Sequence, residues 1–284
     1  FVYDMRPYAN NANQNLSEDE IHNILKGLNE DLITEYTTTV NEENQLEQSR
    51  KISNKRTGDI YTGVHEDIVQ PYYDKIFKNK LEETPGITSQ KDAGTALHEV
   101  FQNTLFEIYI DPSTNKLRPD VLDYYLRPTK ENLKKYVDFF TPIVQRQRET
   151  VYAASTPDVE MIPGIDSHYF YEQIHGYLDN VVRRAVNEHG SEVKFYPEQR
   201  LLNTEKGRAG TADLLIVGPT HFDIYDWKTI SPFKYNAFNG TFSEIEMLAA
   251  FKETAYKLQM KEYATMAHQL TGLRLNNARA IPIA

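Results

Sequence analysis

The pattern of apolar and polar positions changes character about two thirds of the way along the chain. Up to Gly190 the apolar period is helical. Ser17-Glu18-Asp19-Glu20 has the form of a capping box, with Ser17 as N-cap and Glu20 reaching back. Ile21, Ile24, Leu25 and Leu28 then recur at helical spacing. The stretch 37–56, rich in Glu, Asn, Gln and Thr, reads as a solvated helix or a loose connection. Glu82-Glu83-Thr84-Pro85-Gly86 is a turn and a boundary. A helix is predicted over about 92–110, with Leu97, Phe101, Leu105 and Ile108 as its apolar stripe and Asp111-Pro112-Ser113 as its stop. Two further helices are predicted near 131–148 and 167–187, the second ending at Gly190.

Beyond Gly190 the period shortens to two. Strands are predicted over 193–202, 211–217 and 222–229, with Gly218-Pro219-Thr220 as a hairpin connection between the last two. The helical period returns over 243–270, and 274–284 begins another strand. The predicted fold is α/β: a small mixed β-sheet flanked by helices over 87–284, preceded by a helical N-terminal extension over 1–86.

Composition narrows the chemistry. At 284 residues the chain is long enough for one large domain, or for a core with an extension. No apolar run approaches the ~20 residues of a membrane span, and the first residues lack the basic-then-apolar order of a signal peptide. Cysteine is absent, which excludes disulfides, thiolate zinc sites and cysteine-held iron–sulfur clusters. A metal site must then draw on Asp, Glu, His and carbonyl oxygens, a donor set suited to Mg²⁺ or Mn²⁺. The net charge of -10 argues against coating nucleic acid by bulk charge. It is compatible with a local basic groove around an acidic site, and equally with simple solubility. The opening on Phe1 and the apolar close Ala280-Ile281-Pro282-Ile283-Ala284 lead us to expect a piece of a longer protein, with the remainder or a larger complex as partner. Abundant Asn, Lys, Ile and Tyr point to an AT-rich genome such as a phage's, and so to the cytoplasm of a bacterial or phage-infected cell.

The candidate chemistry lies in the β-rich part. On a strand, Asp226 and Lys228 of Asp226-Trp227-Lys228 share a face. Alone, this also describes an exposed ion pair. Asp213 opens the preceding predicted strand, and a hairpin brings it toward Asp226. Alone, it also describes a strand-start residue bonded to a turn. Glu198 follows Pro197 on a third strand, where an ordinary edge glutamate is the simple alternative. Jointly, acids on three adjacent strands plus a lysine are what a divalent-metal phosphodiesterase needs. The carboxylates hold a metal that activates water and offsets phosphate charge, and the lysine favours hydroxide in the transition state.

In order, these motifs resemble those of the PD-(D/E)XK nuclease superfamily, and of its RecB-like branch in particular. The matching elements are Gly94-Thr95-Ala96-Leu97-His98 on a helix, Glu198, Gly210-Thr211-Ala212-Asp213, Asp226-Trp227-Lys228-Thr229, and a helix carrying Gln259 and Tyr263 in the spacing Q-x-x-x-Y. The match covers roughly 92–284 and leaves 1–86 unexplained. The resemblance implies a restriction-endonuclease-like core. It implies Asp213 and Asp226 as central metal ligands, joined by the Trp227 carbonyl, Glu198 and His98, with Lys228 activating water. His98 alone also reads as a core-edge histidine bonded to a carbonyl. Gln259 and Tyr263 are implied to support the site and the nucleic acid, although a helix tyrosine is also ordinary packing. The implied activity is Mg²⁺- or Mn²⁺-dependent phosphodiester hydrolysis of nucleic acid, DNA favoured over RNA, as an exonuclease or end-processing enzyme. The alternatives are an RNA endonuclease of the cap-snatching kind and a non-catalytic nuclease-fold assembly module. Lys234, Lys252, Lys257 and Lys261 are candidate phosphate contacts or a solvated face, and Tyr235 and Phe238 are candidate base-stacking groups.

Overall fold

The computed structural model describes residues 2–3, 16–40, 42, 46–72, 98–154, 167–229 and 242–283, with the backbone alone described at 2–3, 46–49, 147–154, 167–174, 228–229, 242–253 and 282–283. The strands are β1 (Val2–Tyr3), β2 (Leu32–Val40), β3 (Leu46–Asn54), β4 (Ile60–Gly63), β5 (Lys194–Asn203), β6 (Arg208–Val217), β7 (His221–Thr229) and β8 (Arg274–Ile283). The helices are α1 (Glu18–Asp31), α2 (Pro119–Leu126), α3 (Lys130–Ala154), α4 (Ser167–His189) and α5 (Phe242–Thr271), with π-helical turns at His65–Val69 and Leu105–Tyr109. Among the described residues, no helix is long and apolar enough to cross a membrane.

The chain divides into two units. The first comprises Phe1–Pro85, Glu198–Leu215 and Thr220–Ala284, and the second Gly86–Pro197 and Ile216–Pro219. The chain then re-enters the first unit at Glu198, so the N-terminal segment shares a unit with the motif-bearing strands.

The first unit is built on a mixed sheet of order β1-β8-β7-β6-β4-β3-β2, with β5 also paired to β6. The β4–β6 and β7–β8 pairs are parallel, and β1–β8, β2–β3 and β3–β4 are antiparallel. The α/β expectation of a mixed sheet flanked by helices holds, with α1 in the N-terminal segment, although that segment also supplies β1 to β4. The reading of 37–56 as a solvated helix or loose connection does not: this stretch forms most of the β2–β3 hairpin, paired residue by residue from Leu32↔Asn54 to Val40↔Leu46. Its β-branched residues Thr37, Thr38, Thr39 and Val40 favour extended backbone, and they are exposed, so no apolar period marks them. The hairpin is anchored at its base, where Leu32 and Ile52 pack with Ala209 of β6.

Two helices flank this sheet. The Ser17 hydroxyl accepts the Glu20 N–H at 3.2 Å and caps α1, which buries Ile21 and Leu25. The buried Gln199 amide donates to Leu25 O at 2.9 Å and to Arg200 O at 2.8 Å, tying α1 to β5. Helix α5 ends at Gly272, whose φ of 69° only glycine adopts at little cost. Arg208, at the start of β6, pairs with Asp67 and reaches the buried Glu262 of α5 at 3.5 Å. This fixes which face of α5 looks toward β6.

The second unit is mainly helical. Phe101, Leu105 and Ile108 form a buried stripe as predicted, although the helix closes on an i→i+5 turn, with Ile110 N donating to Leu105 O at 2.9 Å. Leu97 and the rest of 92–97 lie outside the described residues, as does the turn at 82–86. Gly190, with φ 88°, ends α4 where expected. Tyr125 donates to the Asp179 carboxylate, beside Tyr136, Phe140 and His175.

Candidate functional site

The three-residue connection 218–220 makes β6 and β7 antiparallel neighbours. Because β6 begins at Arg208, Asp213 lies in mid-strand rather than opening it. Its side chain is 5% exposed, and its Oδ2 accepts the Trp227 N–H at 2.6 Å. The acid of G-x-x-D thus holds the backbone of D-x-K directly. On β7, alternation places Asp226 with Ile224 on one face and Tyr225 with Trp227 on the other. Asp226 and Trp227 are buried, and the Trp227 ring tilts against Tyr225 at 6.0 Å between centroids. Lys228 pairs in register with Pro282 of β8, while its side chain and that of Thr229 lie outside the described residues.

Glu198 follows the buried Pro197 and has φ 47°, the left-handed region. For a residue with a Cβ this conformation costs roughly 1–3 kcal/mol and persists only where its surroundings enforce it. The enforcement comes from the next two residues. Gln199 is held by two carbonyls, and Arg200 N donates to Asn29 Oδ1 at 2.8 Å while Arg200 Nη1 donates to Thr34 Oγ1 at 2.7 Å. The turned backbone brings a Glu198 carboxylate oxygen within 4.8 Å of one on Asp213. Asp226, which a hairpin is expected to bring toward Asp213, is not among the ligand atoms grouped with that pair among the described residues. In the hairpin, Asp213 instead faces the backbone one residue further on. His98 lies in the second unit, half-buried, at the start of the helical turns 98–104, and Gly94 to Leu97 lie outside the described residues.

Gln259 and Tyr263 stand one turn apart on α5, and the Gln259 amide donates to the Tyr263 hydroxyl at 3.1 Å. The Tyr263 ring fills the space that a side chain at Gly210 would need. A Cβ there would sit 2.6 Å from Tyr263 Cε1 and 3.1 Å from Val64 Cγ2. The glycine of G-x-x-D is therefore explained by the tyrosine of Q-x-x-x-Y. These residues also line a pocket of about 230 Å³. Its cationic walls are Arg50 and Arg200, with His65 beside them; no sequence motif marks any of the three.

Burial opposes the Arg50 charge, but the Glu66 carboxylate, hydrogen-bonded at 2.8 Å, outweighs it and moves the guanidinium pKa up. Arg200 moves down, first through burial and then through the nearby Arg50 charge, with Glu198 and Tyr36 acting in the opposite direction. Lys257 and Lys261 are exposed on α5. Lys234, Tyr235 and Phe238 lie outside the described residues, as does the Lys252 side chain. No protein-family model, curated protein or solved structure matches the chain.

Proposed function

We propose that this chain is a divalent-metal-dependent nuclease that hydrolyses phosphodiester bonds, with DNA favoured as substrate and an exonucleolytic or end-processing action. The observation that carries the reading is the Glu198–Asp213 pair, two carboxylates within 4.8 Å, one buried and the other held on left-handed backbone. Such a pair offers hard oxygen donors and concentrated negative charge, which fits Mg²⁺ or Mn²⁺. A bound ion of this kind lowers the pKa of a water and offsets charge on the scissile phosphate.

The chain's own residues supply the frame. Asp213 accepts the Trp227 N–H and so fixes β7 beside it, which sets the strand positions of Asp226 and Lys228. Asp226 and the Trp227 carbonyl add oxygen donors from that strand. Lys228 is assigned to the attacking water, and His98 is the further ligand that the motif order implies. Gln259 and Tyr263 shape the pocket beyond Gly210.

Digestion of matched DNA and RNA with Mn²⁺ present and absent tests the reading. Wild-type protein should cut DNA only with metal, and Asp213→Asn and Asp226→Asn should each lose cutting. Preferential cutting of RNA would instead favour the cap-snatching alternative. Unchanged cutting by Asp226→Asn would defeat the catalytic assignment and favour an assembly role.

A further inference from the structure

We propose that the pocket between β3, β5, β6 and α5 is a subsite for a phosphate group, gripped by Arg200 and Arg50. The chain carries a net charge of -10, so two arginines lining one pocket are not a by-product of a basic surface. Arg50 has a carboxylate partner, Glu66. Arg200 forms no ion pair among the described residues, and its guanidinium donates to one neutral hydroxyl, that of Thr34. Both arginines line the same pocket, so their charges share it. A partly buried guanidinium beside a second one is stabilised by an anion that accepts two parallel N–H bonds, and phosphate has that geometry.

The rest of the pocket suits the same ligand. Gln259, Tyr263 and Thr211 contribute neutral polar groups to its lining. Its volume of about 230 Å³ admits a phosphate group with water. Glu198 lies two residues from Arg200 on β5 and Asp213 two from Thr211 on β6, so the pocket adjoins the carboxylate pair. A phosphate held there would set one end of a substrate against the metal-binding acids. The identity of that substrate rests on the nuclease reading; the anion site itself does not.

Calorimetric titration with inorganic phosphate, without divalent metal, tests the site. Wild-type protein should bind phosphate, and Arg200→Gln should bind about tenfold more weakly or worse, the loss of a charge-assisted pair. Arg200→Lys keeps the cation as a control for folding and should fall between them. Phosphate that fails to bind wild-type, or binds Arg200→Gln equally well, overturns the proposal. Anisotropy with phosphorylated and hydroxyl-ended oligonucleotides in EDTA then identifies the source. A preference for phosphorylated ends that Arg200→Gln loses assigns the pocket to a terminal phosphate. Equal binding of both, weakened alike by Arg200→Gln, assigns it to backbone phosphates. Phosphate binding without metal-dependent cutting would remove the nuclease reading and leave the pocket standing. Cutting without phosphate binding would do the reverse.

Discussion

Replacing Gly210 with alanine adds one methyl group, and the structure says where it goes. The new Cβ would lie 2.6 Å from the Tyr263 ring edge and 3.1 Å from a Val64 methyl. The first distance is too short for any real contact, so the ring or the strand must move. Tyr263 is 5% exposed and its hydroxyl is bonded to Gln259, so the ring has little room to retreat. Overpacking of this kind typically costs about 1–3 kcal/mol. For a unit of this size each kcal/mol lowers the melting temperature by roughly 2–4 °C, giving a drop of roughly 2–12 °C. Thermal unfolding followed by circular dichroism measures it. The cause is isolated by a cycle with Tyr263→Leu, which shortens the opposing side chain. If the clash is the cause, the double variant is more stable than the summed single effects predict, by about 1–2 kcal/mol. A Gly210→Ala variant that melts like wild-type, or strictly additive effects, would refute the link between the two motifs.

Other substitutions probe the remaining supports. Glu198→Gly should be more stable than Glu198→Gln by up to about 1 kcal/mol, because only glycine relieves the left-handed backbone and its own chain entropy takes back part of the gain; a Gln variant as stable as the Gly variant would contradict this in chemical denaturation. Gln199→Leu should destabilise by about 1–3 kcal/mol, since two carbonyls of α1 and β5 lose their donor; a neutral effect would show that the tether is dispensable. In the second unit, burial pushes His175 below its ordinary value of 6.5, with Asp179 opposing. The folded state therefore favours the neutral ring, so its contribution is complete above pH 6.5 and is lost as pH falls below that toward the folded value. Melting temperature should drop across this window, and His175→Phe, which keeps a ring beside Tyr109 and Phe140, should flatten the drop. An unchanged slope would assign the pH dependence elsewhere.

The elements that bury a face were legible in the sequence, and those that do not were missed. Leu214-Leu215-Ile216-Val217, Phe222 and Ile224 are nearly all fully buried, and their runs announced β6 and β7 to within a few residues. Among the described residues of the β2–β3 hairpin, Leu32 and Ile52 are the buried hydrophobic anchors near its base, and Tyr36 and Val40 are exposed. Its signal was β-branched composition, visible in Thr37 to Val40 but outweighed by the polar residues around it. The parallel β4–β6 pairing joins Thr62 to Arg208, a register set by tertiary packing that no local pattern carries. Within the candidate site, motif order singles out the acids, yet the left-handed Glu198 and the closeness of Glu198 to Asp213 depend on tethers from α1 and β2. Arg50, His65 and Arg200 carry no signal in the sequence, because each lies near other charged residues. Gly210 was legible as part of a motif, and its reason became visible only once Tyr263 was placed against it.

Mn²⁺ binding is read most directly by titrating the ion into the wild-type protein, with free ion followed by electron paramagnetic resonance. One saturable site is predicted, lost in both Asp213→Asn and Glu198→Gln while circular dichroism shows the fold retained. A wild-type protein that binds no Mn²⁺, or a site that survives in both variants, contradicts the claim that these two carboxylates form the core of a metal centre.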